Sequence, residues 1–188
     1  GRAIARGFAL AGADIIGISS SLSTTGADIE QEVQQAGRKF YAYQADLTDR
    51  NSVYQVITQI KERFERIDIL VNNAGIIKRA PAAEYTDGDW DQVLSINLDT
   101  PFLLSREIGI TMLANGGGSI IFIASLLTFQ GGIFVPAYTA SKSAIGGLVR
   151  ALSNEWAAQN VRVNGIAPGY IATANTEALQ QDPHRNKA

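Results

Sequence analysis

The 188-residue chain has no cysteine. That excludes disulfides, thiolate zinc ligands and a thiol nucleophile. It has one histidine, His184, which sits in a polar stretch (Asp182-Pro183-His184-Arg185) and reads as solvated. A Ser-His-Asp triad or a multi-histidine metal site therefore has almost nothing to be built from, and no metal is expected. A basic excess is also lacking. Lys and Arg total 16 against 18 Asp and Glu, a net charge of −2, so neither nucleic acid nor an anionic membrane surface is an expected partner. No apolar run is long enough to span a bilayer. The longest uncharged stretch, Gly109–Thr139, is broken by Gly116-Gly117-Gly118, Ser119, Ser125, Gln130 and Pro136. The chain start does not read as a signal peptide, and the expected compartment is the cytoplasm. The chemistry that remains must run on Ser, Tyr, Lys, Asn, Asp or Glu, or on a cofactor.

With 46% hydrophobic and 18% charged residues, the composition is that of a folded protein. The length fits a single domain over 1–188. Glycine is frequent, 18 residues against 5 prolines, which marks tight turns or close backbone approach to a ligand. Helical spacing over 2–11 gives way to a short apolar strand, Asp14–Ser19. A polar amphipathic helix over 26–37 precedes the strand Phe40–Ala45, and Asp46 to Asp49 offer caps for a helix over 50–65. The strand Ile67–Val71 ends in Asn72-Asn73-Ala74-Gly75, and 76–87 reads as loop. A helix follows over Asp89–Leu113, bent at Pro101. Then come a strand Ser119–Ala124, a helix Ala137–Gln159 and a strand Val161–Ala167 ended by Pro168-Gly169.

Strict alternation of helices with continuous apolar strands implies βαβ units. The expected class is α/β: a doubly wound parallel sheet of Rossmann type in three α/β/α layers. Ligands of such sheets bind beyond the carboxyl ends of the strands. Ser19, Asp46, Asn72–Gly75, Ser125 and Pro168-Gly169 all follow strand ends and should converge there.

Tyr138 and Lys142 lie four residues apart, one helical turn, on one face. An ammonium beside a phenol stabilises the phenolate, so the pair can act as acid and base near neutrality. An exposed tyrosine and a solvated lysine would give the same spacing. Ser125, at a strand end, could bond a substrate oxygen or simply cap a turn. Asn97 stands mid-helix in Leu94-Ser95-Ile96-Asn97-Leu98, where asparagine competes with the backbone for hydrogen bonds. It is either a buried satisfied side chain or a local disruption that binds water near a site.

Asp46-Leu47, Asn72-Asn73-Ala74-Gly75, Asn97, Ser125, Tyr138-Thr139-Ala140-Ser141-Lys142 and Pro168-Gly169 with Thr173 together resemble the short-chain dehydrogenase/reductases. The elements occur in the family's order over Gly1 to about Thr176. The resemblance implies that Tyr138 donates or accepts the proton, and that Lys142 lowers its pKa and binds the nicotinamide ribose. It implies that Ser125 holds the substrate oxygen and that Asn97 positions a water linking Lys142 to solvent. It also implies that Asp46 and Leu47 face the adenine, that Asn73, Ala74 and Gly75 follow the adenine ribose, and that Pro168, Gly169 and Thr173 surround the nicotinamide. Gly1 is similar to the last glycine of the family's phosphate-binding turn. The strand before it, central in the doubly wound order, is not in the chain, so the domain is expected to be truncated at both ends. A chain starting at Gly1 is expected to fold poorly or to bind cofactor weakly.

At Ser19, where an acid would select NAD and a nearby Arg NADP, neither is present. NAD is the expected cofactor, with NADP compatible. A finer resemblance within the family is to bacterial 2-deoxy-D-gluconate 3-dehydrogenases, also described as 2-keto-3-deoxy-gluconate or diketo-gluconate reductases, with gluconate 5-dehydrogenases as near relatives. It is carried by the segments 74–82, 125–132, 154–157 and 168–176. It implies hydride transfer from 2-deoxy-D-gluconate to give the 3-dehydro product. Lys78 and Arg79 would meet a sugar-acid carboxylate or form a solvated charge pair; Gln130 and Tyr170 would meet hydroxyls. The alternatives are a gluconate 5-dehydrogenase, a 3-oxoacyl reductase or a non-catalytic NAD(P)-binding regulator. Lyase or epimerase chemistry is a more distant one. Small residues on the helix 137–159, with the family's habit, imply a homotetramer.

Overall fold

The computed structural model describes residues 1–23, 28–169 and 171. Tyr170, Thr173 and His184 lie outside them. Helices and parallel strands alternate as expected: α1 (Arg2–Leu10), β1 (Ile15–Ser19), α2 (Asp28–Gln35), β2 (Phe40–Gln44), α3 (Arg50–Arg63), β3 (Ile69–Asn72), α4 (Asp87–Leu94), α5 (Thr100–Ala114), β4 (Gly118–Ile123), α6 (Pro136–Trp156) and β5 (Val161–Ile166). This is a Rossmann-like α/β fold.

Local chemistry sets the element ends. The Asp49 carboxylate accepts from the N–H groups of Asn51 and Ser52, both at 3.1 Å, and so starts α3. The Thr86 hydroxyl accepts from Asp89 N–H and starts α4. Gly117 adopts φ 139°, and a Cβ there would stand 2.7 Å from the Asn160 carbonyl oxygen; only glycine can make this turn into β4.

Two features differ from the sequence reading. The long helix expected over 89–113 contains a π-helical turn over Ser95–Asp99 between α4 and α5. The backbone stays helical through both junctions, so the expected long helix is present with a π turn inside it, and Pro101 stands just after that turn. The strands also form two ladders rather than one sheet, β1–β2 and β3–β4–β5, all parallel. Ile15–Ile18 of the first ladder and Ile69–Val71 of the second line a cavity between them.

The main core joins the larger ladder to α5 and α6: Ile108, Met112, Ile120, Phe122, Ile145, Trp156, Val161 and Val163. A second cluster, Val53, Ile57 and Leu103, clamps α3 to α5. At roughly 25 cal/mol per Å² of apolar surface removed from water, each such side chain contributes about 1.5–3 kcal/mol. That burial fixes α6 against β4 and β5, and so fixes where Tyr138 and Lys142 stand relative to the strand ends.

Candidate active site

Lys142 is 5% exposed, an unusual place for an ammonium. Burial lowers its pKa from 10.5 to about 8. The Nζ donates to the Ile123 carbonyl at the end of β4, 2.6 Å away. It stands 5.7 Å from the centre of the Tyr138 ring, so the pair shares one helix face as the spacing implied. Ser125 follows the same strand end. Its hydroxyl oxygen accepts from Leu127 N–H at 3.2 Å, which leaves its own proton to be donated elsewhere. It therefore caps a short turn, Leu126–Thr128, and keeps a donor.

Asn97 is 1% exposed and lies inside the π turn. The helix is disrupted there, and the side chain is buried with its oxygen and its amide both bonded. Its Oδ1 accepts from Ile76 N–H at 2.8 Å, and its Nδ2 donates to the Ile76 carbonyl at 2.9 Å and to Ser141 Oγ at 3.2 Å. Ser141 in turn donates to the Tyr138 carbonyl at 2.8 Å. Asn97 thus ties the backbone after Gly75 to the helix that carries Tyr138.

The residues expected to hold a dinucleotide separate into two groups. Gly1, Ser19, Asp46, Leu47, Asn73, Ala74 and Gly75 line one cavity of about 1580 Å³. Pro168 and Gly169 do not line it; Gly169 lies beside Leu126, with a built Cβ 4.0 Å from Leu126 Cδ1. Gly75 lines the cavity and also abuts Asn97 and Lys142. A Cβ there would stand 3.3 Å from Asn97 Oδ1 and 3.8 Å from Lys142 Nζ. At Gly1, the N-cap of α1, no side chain of the described residues caps the helix, and Gly1, Arg2, Ile4 and Ala5 line the cavity. The helix N-terminus and the side-chain-poor backbone of Asn73–Gly75 at the rim suit the pyrophosphate and a flat ring of NAD(P), whereas the rest of the lining, Ile15, Ile18, Phe40, Ile60, Leu70 and Ile108 among it, is apolar. Asp46 also serves its own turn. Its Oδ1 accepts from Thr48 N–H at 2.8 Å and from Thr48 Oγ1 at 2.7 Å, bonds that lower its pKa. Ser19 is half-buried, and its oxygen accepts from Ser21 N–H.

Of the candidate substrate residues, Lys78 forms an ion pair with Asp89 at 3.3 Å. Arg79 is exposed on the same loop, held in place by the bond from Ala80 N–H to the Phe134 carbonyl. Gln130 is exposed beyond the Ser125 turn. Sequence reasoning missed Ser141, Thr128 and the Ile123 carbonyl. Thr128 had a signal, the Ser-x-x-Thr spacing of a capping box after β4. The carbonyl had none, because every residue has one. Among the described residues no group of three or more potential metal ligands occurs, and no helix is long and apolar enough to cross a membrane.

The short chain dehydrogenase family profile matches residues 1–184. The chain is 60% identical over its whole length to a 2-dehydro-3-deoxy-D-gluconate 5-dehydrogenase of Pseudoalteromonas atlantica, of which it covers 74%. A solved structure from Beutenbergia cavernae, named a candidate NAD(P)-dependent gluconate 5-dehydrogenase with NADP bound at low occupancy, superposes with a TM-score of 0.92 at 47% identity. That match covers 99% of this chain and 74% of the other. A candidate 2-deoxy-D-gluconate 3-dehydrogenase from Agrobacterium tumefaciens, with NADP bound, gives 0.84 at 42% identity and covers 99% and 73%.

Proposed function

The chain belongs to the short-chain dehydrogenase family, and on that premise we propose that Ser125, Tyr138 and Lys142 carry its NAD(P)-dependent oxidoreduction, with 2-dehydro-3-deoxy-D-gluconate as substrate, oxidised at C5. The observation that carries the site is the buried Lys142, pinned to the end of β4 beside Tyr138 and close enough to Gly75 that a Cβ added there would stand 3.8 Å from its Nζ. In the oxidising direction Tyr138 Oη takes the proton of the substrate hydroxyl. Bound NAD(P) supplies the hydride acceptor for oxidation, or the donor for reduction. The Lys142 ammonium stabilises the phenolate, more strongly for being out of water. Ser125 donates its free proton to the substrate oxygen and orients it. Asn97 holds the loop after Gly75 at a fixed distance from α6 through Ile76 and Ser141.

The substrate reading rests on the chain's likeness to named sugar-acid dehydrogenases and on the basic loop at Lys78 and Arg79. The Pseudoalteromonas enzyme's name places oxidation at C5 of a 2-keto-3-deoxy acid, which differs from the C3 oxidation that the sequence segments suggested. The Agrobacterium structure's name keeps C3 oxidation of 2-deoxy-D-gluconate as a second reading. Nicotinamide absorbance with both sugar acids separates the two. Tyr138→Phe tests the site: turnover should fall at least about a thousandfold with cofactor binding retained. Undiminished turnover would remove Tyr138 from the chemistry.

A further inference from the structure

Thr128 is the residue where the two halves of the site touch. Its hydroxyl donates to the backbone carbonyl of Lys142 at 2.9 Å and accepts from the N–H of Ser125 at 3.3 Å. Lys142 Nζ returns to the strand end at Ile123, two residues before Ser125. These bonds close a ring through the end of β4, the Ser125 turn and the second turn of α6. A second bond, from Ser143 Oγ to the Leu127 carbonyl at 3.2 Å, fastens the same turn to the helix. Gly146, one turn beyond Lys142, leaves room for the threonine methyl: a Cβ at Gly146 would stand 2.5 Å from Thr128 Cγ2. Thr128 is thus held by its hydroxyl on one side and by a glycine recess on the other.

We propose that Thr128 is a positioning residue, a strut that sets the distance between the Ser125 hydroxyl and the Tyr138–Lys142 face. A threonine needed only to cap the turn would have no reason to reach across to Lys142, because capping is complete with the Ser125 N–H bond. The strut reaches across to the backbone of the lysine itself. An error of about 1 Å between groups that act on one oxygen can cost about a hundredfold in rate. The inference rests on the roles proposed for Ser125, Tyr138 and Lys142.

The variants are Thr128→Val, which keeps the shape and loses the hydroxyl, and Thr128→Ser, which keeps the hydroxyl and loses the methyl. Thr128→Val should lower kcat about ten- to a hundredfold while KM and cofactor Kd stay within about twofold; Thr128→Ser should keep most of kcat. Gly146→Ala should reproduce the kcat loss by pushing Thr128 aside, and the double variant with Thr128→Ser should recover it. NMR titration of the Lys142 ammonium in the cofactor-free protein gives a reading independent of turnover. Its midpoint should rise in Thr128→Val, as water reaches a loosened turn, and return in Thr128→Ser. Unchanged kcat and titration in a folded Thr128→Val, or equal losses in the valine and serine variants, would overturn the strut. Should Thr128→Val not fold, failure of Thr128→Ser to rescue Gly146→Ala would overturn it. Full activity in Tyr138→Phe would instead overturn the site reading, and leave the Lys142 titration as the test of the strut.

Discussion

Lys142 should leave a measurable mark on how stability depends on pH. Its pKa falls from 10.5 in the unfolded chain to about 8 in the folded protein, because burial disfavours the ammonium. At about 1.4 kcal/mol per pH unit, that gap corresponds to about 3 kcal/mol. Below pH 8 both states hold the proton, and the folded state carries the whole penalty. Between pH 8 and 10.5 the unfolded chain holds a proton that the folded chain has released, so stability rises with pH. Above 10.5 neither holds it, and the effect is flat. Lys142→Met removes this titration. It also strips the Ile123 carbonyl of a donor and alters packing, but those losses do not vary with pH. The comparison is best made in a Tyr138→Phe background, which takes the neighbouring phenol out of both chains. Urea unfolding at intervals from pH 7 to 10.5 gives the difference between the two chains at each pH. The lysine chain should gain about 3 kcal/mol relative to the methionine chain across that range. A difference that changes by less than about 1 kcal/mol, or that falls with pH, would show that the ammonium is solvated and the burial argument wrong.

Other expectations follow from the same geometry. Asn97→Ala strips partners from the Ile76 N–H and carbonyl and from Ser141. At about 1 kcal/mol for each lost bond it should lower stability by about 2–3 kcal/mol, seen as a lower urea midpoint; a loss under about 0.5 kcal/mol would mean that the π turn does not depend on the clamp. Gly75→Ala puts a methyl 3.3 Å from Asn97 Oδ1 at a residue that lines the cavity, and should raise the Kd for NADP about tenfold or more by fluorescence titration. An unchanged Kd would place the cofactor elsewhere. Arg79→Ala should raise KM about tenfold for a sugar acid and leave an uncharged polyol unaffected; equal effects on both would take Arg79 out of carboxylate binding.

The elements and most of the site were legible in the sequence because both depend on short-range periodicity. Apolar runs bounded by glycine and serine marked the strands, and a four-residue spacing put Tyr138 and Lys142 on one helix face. Asn97 was legible as an anomaly, a poor helix residue in an apolar stretch. What it does was not legible, since its partner Ile76 is reached through backbone atoms that every residue carries. Pro101 marked the irregular part of the long helix but not its form, a π turn that ends just before the proline.

The sequence by itself determined the α/β alternation, the strand ends at which polar residues gather, and the chemistry open to a chain without cysteine and with one histidine. Those follow from covalent geometry, residue type and spacing along the chain. Only the tertiary structure decided that Lys142 is buried and pinned to the end of β4, and that Thr128 and Ser141 carry bonds between separate elements. Each depends on which surfaces leave water together and which buried polar groups must then find partners. Those pairings are made in space, between residues that the order of the chain does not relate.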